Sequence, residues 1–165
     1  MKTEFTWRLS GDIPKGLKRD AVVATLRIAL RGWQNGCGVT FVEDRDVHFT
    51  HDITFTFGTP SRDWTSERKH EGNHHLIIFR DTLTWCPIKL KIFGSVFLAW
   101  LARVTQVGED LLTFSLHELG HVLNVPHVSP LVDKDSVMHP YPEKLGLVNR
   151  PSDDDLSMAR ETYPL

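Results

Sequence analysis

Apolar residues recur along this chain with two different periods, and the changes of period divide it into elements. Residues 5 to 10, FTWRLS, alternate apolar and polar side chains, which predicts a short strand. GDIPKG supplies turn residues, and from Asp20 to Trp33 the period lengthens. Val22, Leu26, Ala29, Leu30 and Trp33 share a helical face while Arg27 and Arg31 fall towards the other side, so an amphipathic helix lays one face on a sheet. NGCG, 35 to 38, ends it, because Asn and Gly tolerate the left-handed backbone of a helix terminus. VTFVED (39 to 44) and DITFTF (52 to 57), rich in β-branched and aromatic residues, predict two more strands. The polar, turn-rich run GTPSRDWTSERKHEGN (58 to 73) reads as a loop. HLIIF (75 to 79) and KLKIF (89 to 93) are further strand candidates, separated by RDTLTWCPI. EDLLTFSLHELGHVL (109 to 123) is helical in period and stops at Asn124, with Pro126 just beyond. DDDLSMARETY (153 to 163) opens on acidic residues suited to a helix N-terminus.

At 165 residues the chain is long enough to bury a core without staples and short enough for one domain. Its 19 basic and 21 acidic residues are interspersed, with a net charge of −2, so neither a nucleic-acid footprint nor an acidic tail stands out. Cys37 and Cys86 are too few for a disulfide framework, though an oxidising compartment would let them form one bridge. MKTEFTWRLS lacks the apolar core and cleavage site of a signal peptide, which fits an intracellular protein or a mature domain carrying an initiator Met. The longest apolar stretch, residues 88 to 104, is interrupted by Lys89, Lys91 and Arg103 and is too short for a membrane span. A strand followed by core-covering chain is its simpler reading, with a surface-lying amphipathic segment as the alternative.

The chemistry is concentrated in HELGHVLNVPH, residues 117 to 127, which places three histidines and one glutamate in eleven positions. His117 and His121 are four apart, so they share a helical face and their imidazoles can converge on one ion. Neutral imidazole binds zinc at about 2.0–2.1 Å, and a catalytic zinc keeps three protein ligands and one position for water. His127 supplies the third if the helix stops at Asn124 and the chain reverses. Such a reversal demands positive φ, and Asn is the most tolerant type after Gly. Glu118 lies on a neighbouring sector of the helix, where it can serve as general base towards a zinc-activated water. HExxH alone arises by chance; a third His at this offset makes coincidence rare. In DSVMHPYP (135 to 142), Met138 by itself reads as a filler of a core gap. Beside the histidines it reads as a turn whose thioether packs beneath the imidazoles.

Together these residues resemble the metzincin zinc endopeptidases, and most closely a minimal matrixin, the catalytic domain of matrix metalloproteinases. FTWRL followed by IP, the helix ending in Trp33, VTF and DITFTF resemble the matrixin first strand, first helix and next two strands. EDLLTFSLHELGH resembles the active-site helix, and DDLSMARETY the closing helix with its paired aspartates. The resemblance implies an α+β fold: an α/β-type twisted, mixed five-stranded sheet with one antiparallel edge strand, and three helices. It implies one catalytic domain over 1–165, with an upper part to about residue 127 and a small C-terminal part from about 128. The implied activity is zinc-dependent hydrolysis of peptide bonds. His117, His121 and His127 match the zinc ligands, Glu118 the base and Met138 the Met-turn. Pro140 and Tyr141 follow Met138 where matrixins build the outer wall of the S1′ pocket, with a Pro-to-Tyr spacing that differs by one, and one of Asp154 and Asp155 ties the closing helix to the Met-turn region. VLNVPH also resembles the adamalysin-like variant, with Val128 where that has Asp, and SVMH the astacin Met-turn, with Pro140 where that has a Tyr ligand.

One catalytic Zn2+ is the implied cofactor. The matrixin HGD and FDG signatures for structural zinc and calcium are missing from 58 to 73, although His70, His74 and His75 could build a second, structural site. No cysteine switch for latency is expected in this chain. Relatives are mostly secreted, so the resemblance favours an extracellular location. The implied partner is a protein or peptide substrate met by a monomer, with no nucleic acid and no membrane span. That substrate would add as a strand to an exposed sheet edge. HLIIF, with Leu76, Ile77 and Ile78, is expected to be the antiparallel edge and KLKIF its parallel neighbour, leaving 94 to 108 as surface chain. Two buried strands with a covered edge are the competing arrangement. Competing functions are a zinc-stabilised peptide-binding module without catalysis, and a metal-free α/β domain. Glu118 argues against the first, since a structural zinc needs no base beside it.

Overall fold

The computed structural model describes residues 2–44, 51–88, 108–129, 135–142 and 148–165. The strands are β1 (Glu4–Leu9), β2 (Thr40–Glu43), β3 (Ile53–Gly58), β4 (Ser66–Glu71), β5 (His74–Arg80), β6 (Trp85–Cys86) and β7 (Glu109–Asp110). The helices are α1 (Arg19–Gln34), α2 (Leu111–Val122) and α3 (Asp153–Thr162). One five-stranded sheet runs in the order β2-β1-β3-β5-β4, parallel throughout except for β4, which is antiparallel to β5. This mixed sheet, with three helices among the described residues, is the α+β fold that the resemblance implied. β6 and β7 form a separate parallel pair just before α2.

Strand alternation turns Phe5 and Trp7 of β1, Ile53 and Phe55 of β3, and Ile77 and Phe79 of β5 into one core. α1 contributes Val22, Leu26, Ala29, Leu30 and Trp33, the face expected from its period, all buried. α2 packs against α1 and reaches β4. The Trp33 indole donates from Nε1 to the Leu116 carbonyl at 3.0 Å, fixing where the two helices meet.

The sheet edge departs from expectation. SERKHE, inside the run read as a loop, is β4, and it holds the edge. HLIIF, with Leu76, Ile77 and Ile78, is interior: β5 pairs with β3 on one side and with β4 on the other. An edge strand flanking a cleft needs no apolar alternation, and β4 carries polar or charged residues on both faces. Its hairpin to β5 turns on Gly72 and Asn73, where Gly72 alone takes positive φ, +61°, the pattern of a type II′ turn. KLKIF and residues 94 to 107 lie outside the described residues. Cys37 and Cys86 are both buried, and no disulfide joins them. Among the described residues no helix is long and apolar enough to cross a membrane.

Candidate active site

α2 starts at Asp110, whose Oδ2 accepts from the Thr113 N–H at 3.1 Å and caps the helix. It ends in a Schellman motif: the Asn124 N–H donates to the His121 carbonyl at 3.1 Å and the Val125 N–H to the Gly120 carbonyl at 2.9 Å, with Asn124 at φ +61°. This is the reversal expected of Asn124, and it brings His127 back to the helix. The three Nε2 atoms stand 3.2 Å (His117 and His121), 3.1 Å (His121 and His127) and 3.3 Å (His117 and His127) apart. Tetrahedral ligands about 2.0–2.1 Å from one zinc lie about 3.3–3.4 Å from each other, so the spacing fits that ion.

Proton placement points the same way. His117 Nδ1 faces the Val137 carbonyl at 2.7 Å and His121 Nδ1 the Val125 carbonyl at 3.2 Å. A carbonyl only accepts, so each Nδ1 carries the proton and each Nε2 presents a lone pair. Lone pairs gathered so closely repel one another unless a cation lies among them. Burial, then the charge of neighbouring histidines, lowers His117 to about 3; burial and His127 lower His121 to about 4. Both are thus neutral, ligand-competent imidazoles at physiological pH. Among the described residues this is the one group of three or more His, Cys, Asp or Glu side chains able to hold a metal ion. His70, His74 and His75 do not converge. His70 and His75 are cross-strand partners with rings stacked 4.6 Å apart, whereas His74, on the other face of the sheet, hydrogen-bonds with Thr54 Oγ1 at 3.0 Å.

Met138 is fully buried beneath the helix, and a Cβ at Gly120 would overlap its sulfur. Glycine between the two helix histidines lets the Met-turn reach the backbone of α2. The turn is held from α3. Fully buried Asp155 accepts from Ser136 Oγ at 2.5 Å, the Val137 N–H at 2.9 Å and the Ser152 N–H at 2.8 Å. Of the paired aspartates, then, Asp155 makes the tie, and through the Val137 carbonyl it also orients His117.

Glu118 is buried beside the triad, and Ser66 Oγ of β4 donates to its Oε1 at 2.5 Å. Burial pushes its carboxyl up to about 7, against the lowering effect of the Ser66 hydrogen bond and the Arg68 charge. A cleft of about 560 Å³ joins these groups, lined also by residues 63–68, Phe114 and residues 140–142. Pro140 and Tyr141 are therefore gathered with the triad, whereas Leu76, Ile77 and Ile78 are not among its lining. Ser66, Arg68 and Trp64 were hidden in the supposed loop. The Gly72-Asn73 pair ahead of HHLIIFR was the signal of a hairpin that could have found them.

The family model described as Matrixin matches residues 1–164. None of the curated proteins compared with the chain matches it. With a histidine triad arranged to take a metal ion, this is a domain of the zinc metalloprotease type. From its first strand to its closing helix, the chain belongs to the matrixin family.

Proposed function

We propose that the chain is a zinc-dependent endopeptidase in which His117, His121 and His127 hold the metal and Glu118 moves the proton. The observation that carries this reading is the pairing of three converging Nε2 atoms with a buried carboxylate, both lining one open cleft. Zinc, when bound, supplies Lewis acidity and lowers the pKa of its water from 15.7 towards about 7. Glu118 would take a proton at Oε2 from the water whose oxygen bonds to the carbonyl carbon, and would deliver it to the amine nitrogen as the C–N bond breaks. Ser66 holds Oε1 and so fixes the direction in which the carboxylate acts. Asp155 orients the His117 imidazole through Val137, and Met138 packs against Gly120 between the two helix ligands.

The substrate is placed by β4. This strand pairs on one side with β5, and its other side borders the cleft. A peptide adds there antiparallel, the pairing with the more favourable ladder, and main-chain hydrogen bonds supply register. Pro140, Tyr141 and Phe114 then receive an apolar side chain next to the cut bond. The test is cleavage of casein by the zinc-loaded chain and by Glu118→Gln, each with and without a chelator. We expect Glu118→Gln to retain one zinc and lose about 10²–10⁴-fold in rate, in line with general-base catalysis. Equal cleavage by the variant would remove Glu118 from the chemistry. A wild-type chain that carries zinc and cuts nothing would overturn the peptidase reading in favour of a binding module.

A further inference from the structure

Arg68 sits two positions along β4 from Ser66, a step of about 6.6–6.8 Å on the same face of the strand, and it lines the cleft. Its guanidinium has an unusual setting. Nη1 donates to His75 Nδ1 at 3.2 Å, and no carboxylate of the described residues lies in ion-pair contact with it. The acidic residues nearby are otherwise engaged. Glu118 takes the Ser66 hydroxyl, Glu67 takes the Ser61 N–H at 2.6 Å, and Asp63 lies 3.6 Å from Arg80. His75 is a suitable support for a cation, because burial, then the Arg68 charge itself, lowers it to about 4 and keeps it a neutral acceptor. A partly buried guanidinium oriented by a neutral imidazole is a ready receptor for a carboxylate.

Strand direction says where that carboxylate would be. β4 runs from Ser66, beside Glu118, away towards Glu71. A peptide antiparallel to it therefore passes Arg68 first, reaches the catalytic group at Ser66, and continues past Trp64. Residues before the cut bond meet Arg68. Those after it meet the exposed Trp64 and Tyr141 with Pro140 and Pro142, an apolar end. We propose that Arg68 determines specificity, selecting peptides with an acidic side chain two or three residues before the scissile bond. This inference rests on the peptidase reading given above.

Three peptides of one sequence test it. One carries Glu at the second and third positions before the scissile bond, one carries Gln there, and one has the Glu pair moved to the other side of the bond. They are compared by kcat/KM on the zinc-loaded full chain, on Arg68→Gln and on Arg68→Glu, and by equilibrium binding to Glu118→Gln. The expected result is about tenfold preference for Glu before the bond at low ionic strength, falling with salt. Arg68→Gln should abolish the preference, and Arg68→Glu should reverse it, so that the Gln peptide is cut faster than the Glu peptide. Cleavage of all three peptides at one rate by the wild type, which needs no variant to fold, would overturn the proposal and leave the peptidase intact. A preference that survives in Arg68→Gln would overturn it too. Preferential binding of the Glu peptide to Glu118→Gln with no cleavage by wild type would support the Arg68 receptor while sinking the peptidase. Neither binding nor cleavage of any peptide would overturn both.

Discussion

α1 and α2 lie against each other yet obey different rules. In α1 the buried positions are Val22, Thr25, Leu26, Ala29, Leu30 and Trp33, of which only Thr25 is polar, and its charged residues look outward; Arg27, for example, reaches Glu43 of β2 at 2.6 Å. In α2 every residue but His121 is buried, including Thr113, Ser115, His117 and Glu118. Each of those has a named partner: Asp110, the Leu111 carbonyl, the Val137 carbonyl and Ser66. Leaving any such group unpartnered would cost about 1–3 kcal/mol, so α2 is specified by hydrogen bonds where α1 is specified by packing. A helix that carries a site inside a core needs a sequence that answers both demands at once.

The contrast is open to direct attack, most severely at the residue the helices share. Trp33 fills α1's core face and bonds to α2's Leu116 carbonyl, so Trp33→Ala should lose about 3–5 kcal/mol in urea unfolding. A loss below 1 kcal/mol would mean that the two helices are stabilised separately. Gly120→Ala comes next. On an exposed helix face this change would add about 1 kcal/mol of stability through helix propensity. In α2 the new methyl meets the Met138 sulfur, and we expect a loss of about 1–3 kcal/mol, together with weaker zinc retention in a chelator competition. A more stable Gly120→Ala protein would show that Met138 yields and that the Met-turn does not brace the helix.

The same division decides what could be read from the residues alone. α1 was legible because packing imposes a period of 3.6, and the five residues named from that period are all buried. The triad was legible because metal ligation imposes its own spacing, and Asn124 because a reversal needs positive φ. β4 was illegible by the same logic. Ser66 and Arg68 spend their side chains on Glu118 and His75, so no apolar alternation marks the strand. The Ser66 to Glu118 hydrogen bond spans 52 residues, a separation about which local periodicity says nothing. The family pattern named the pair Asp154 and Asp155; Ser152 three residues before Asp155 announces a capping box, but nothing local announces the bonds from Ser136 and Val137 in a fully buried site.

The smallest effects lie at the helix starts, where the comparison is cleanest. α2 is capped by Asp110, whose Oδ2 also accepts from Thr113 Oγ1 at 2.6 Å, so Asp110→Ala should lose about 1 kcal/mol. α1 has no equivalent. Lys18 occupies its N-cap in extended geometry, φ −102° and ψ 132°, and makes no capping bond with its side chain. Its carbonyl already accepts from the Val22 N–H at 3.1 Å, so the backbone is set for a cap that the side chain cannot provide. Lys18→Ser would supply an oxygen for the first-turn N–H groups and remove a positive charge from the positive end of the helix dipole. Both changes favour the folded state. We expect a gain of about 0.5–1 kcal/mol, read as a rise in Tm of about 2–3 °C. Unchanged zinc content and peptide cleavage should accompany it, because Lys18 lies outside the cleft. A fall in Tm would show that Lys18 works elsewhere on the surface, and that α1 owes its start to packing alone.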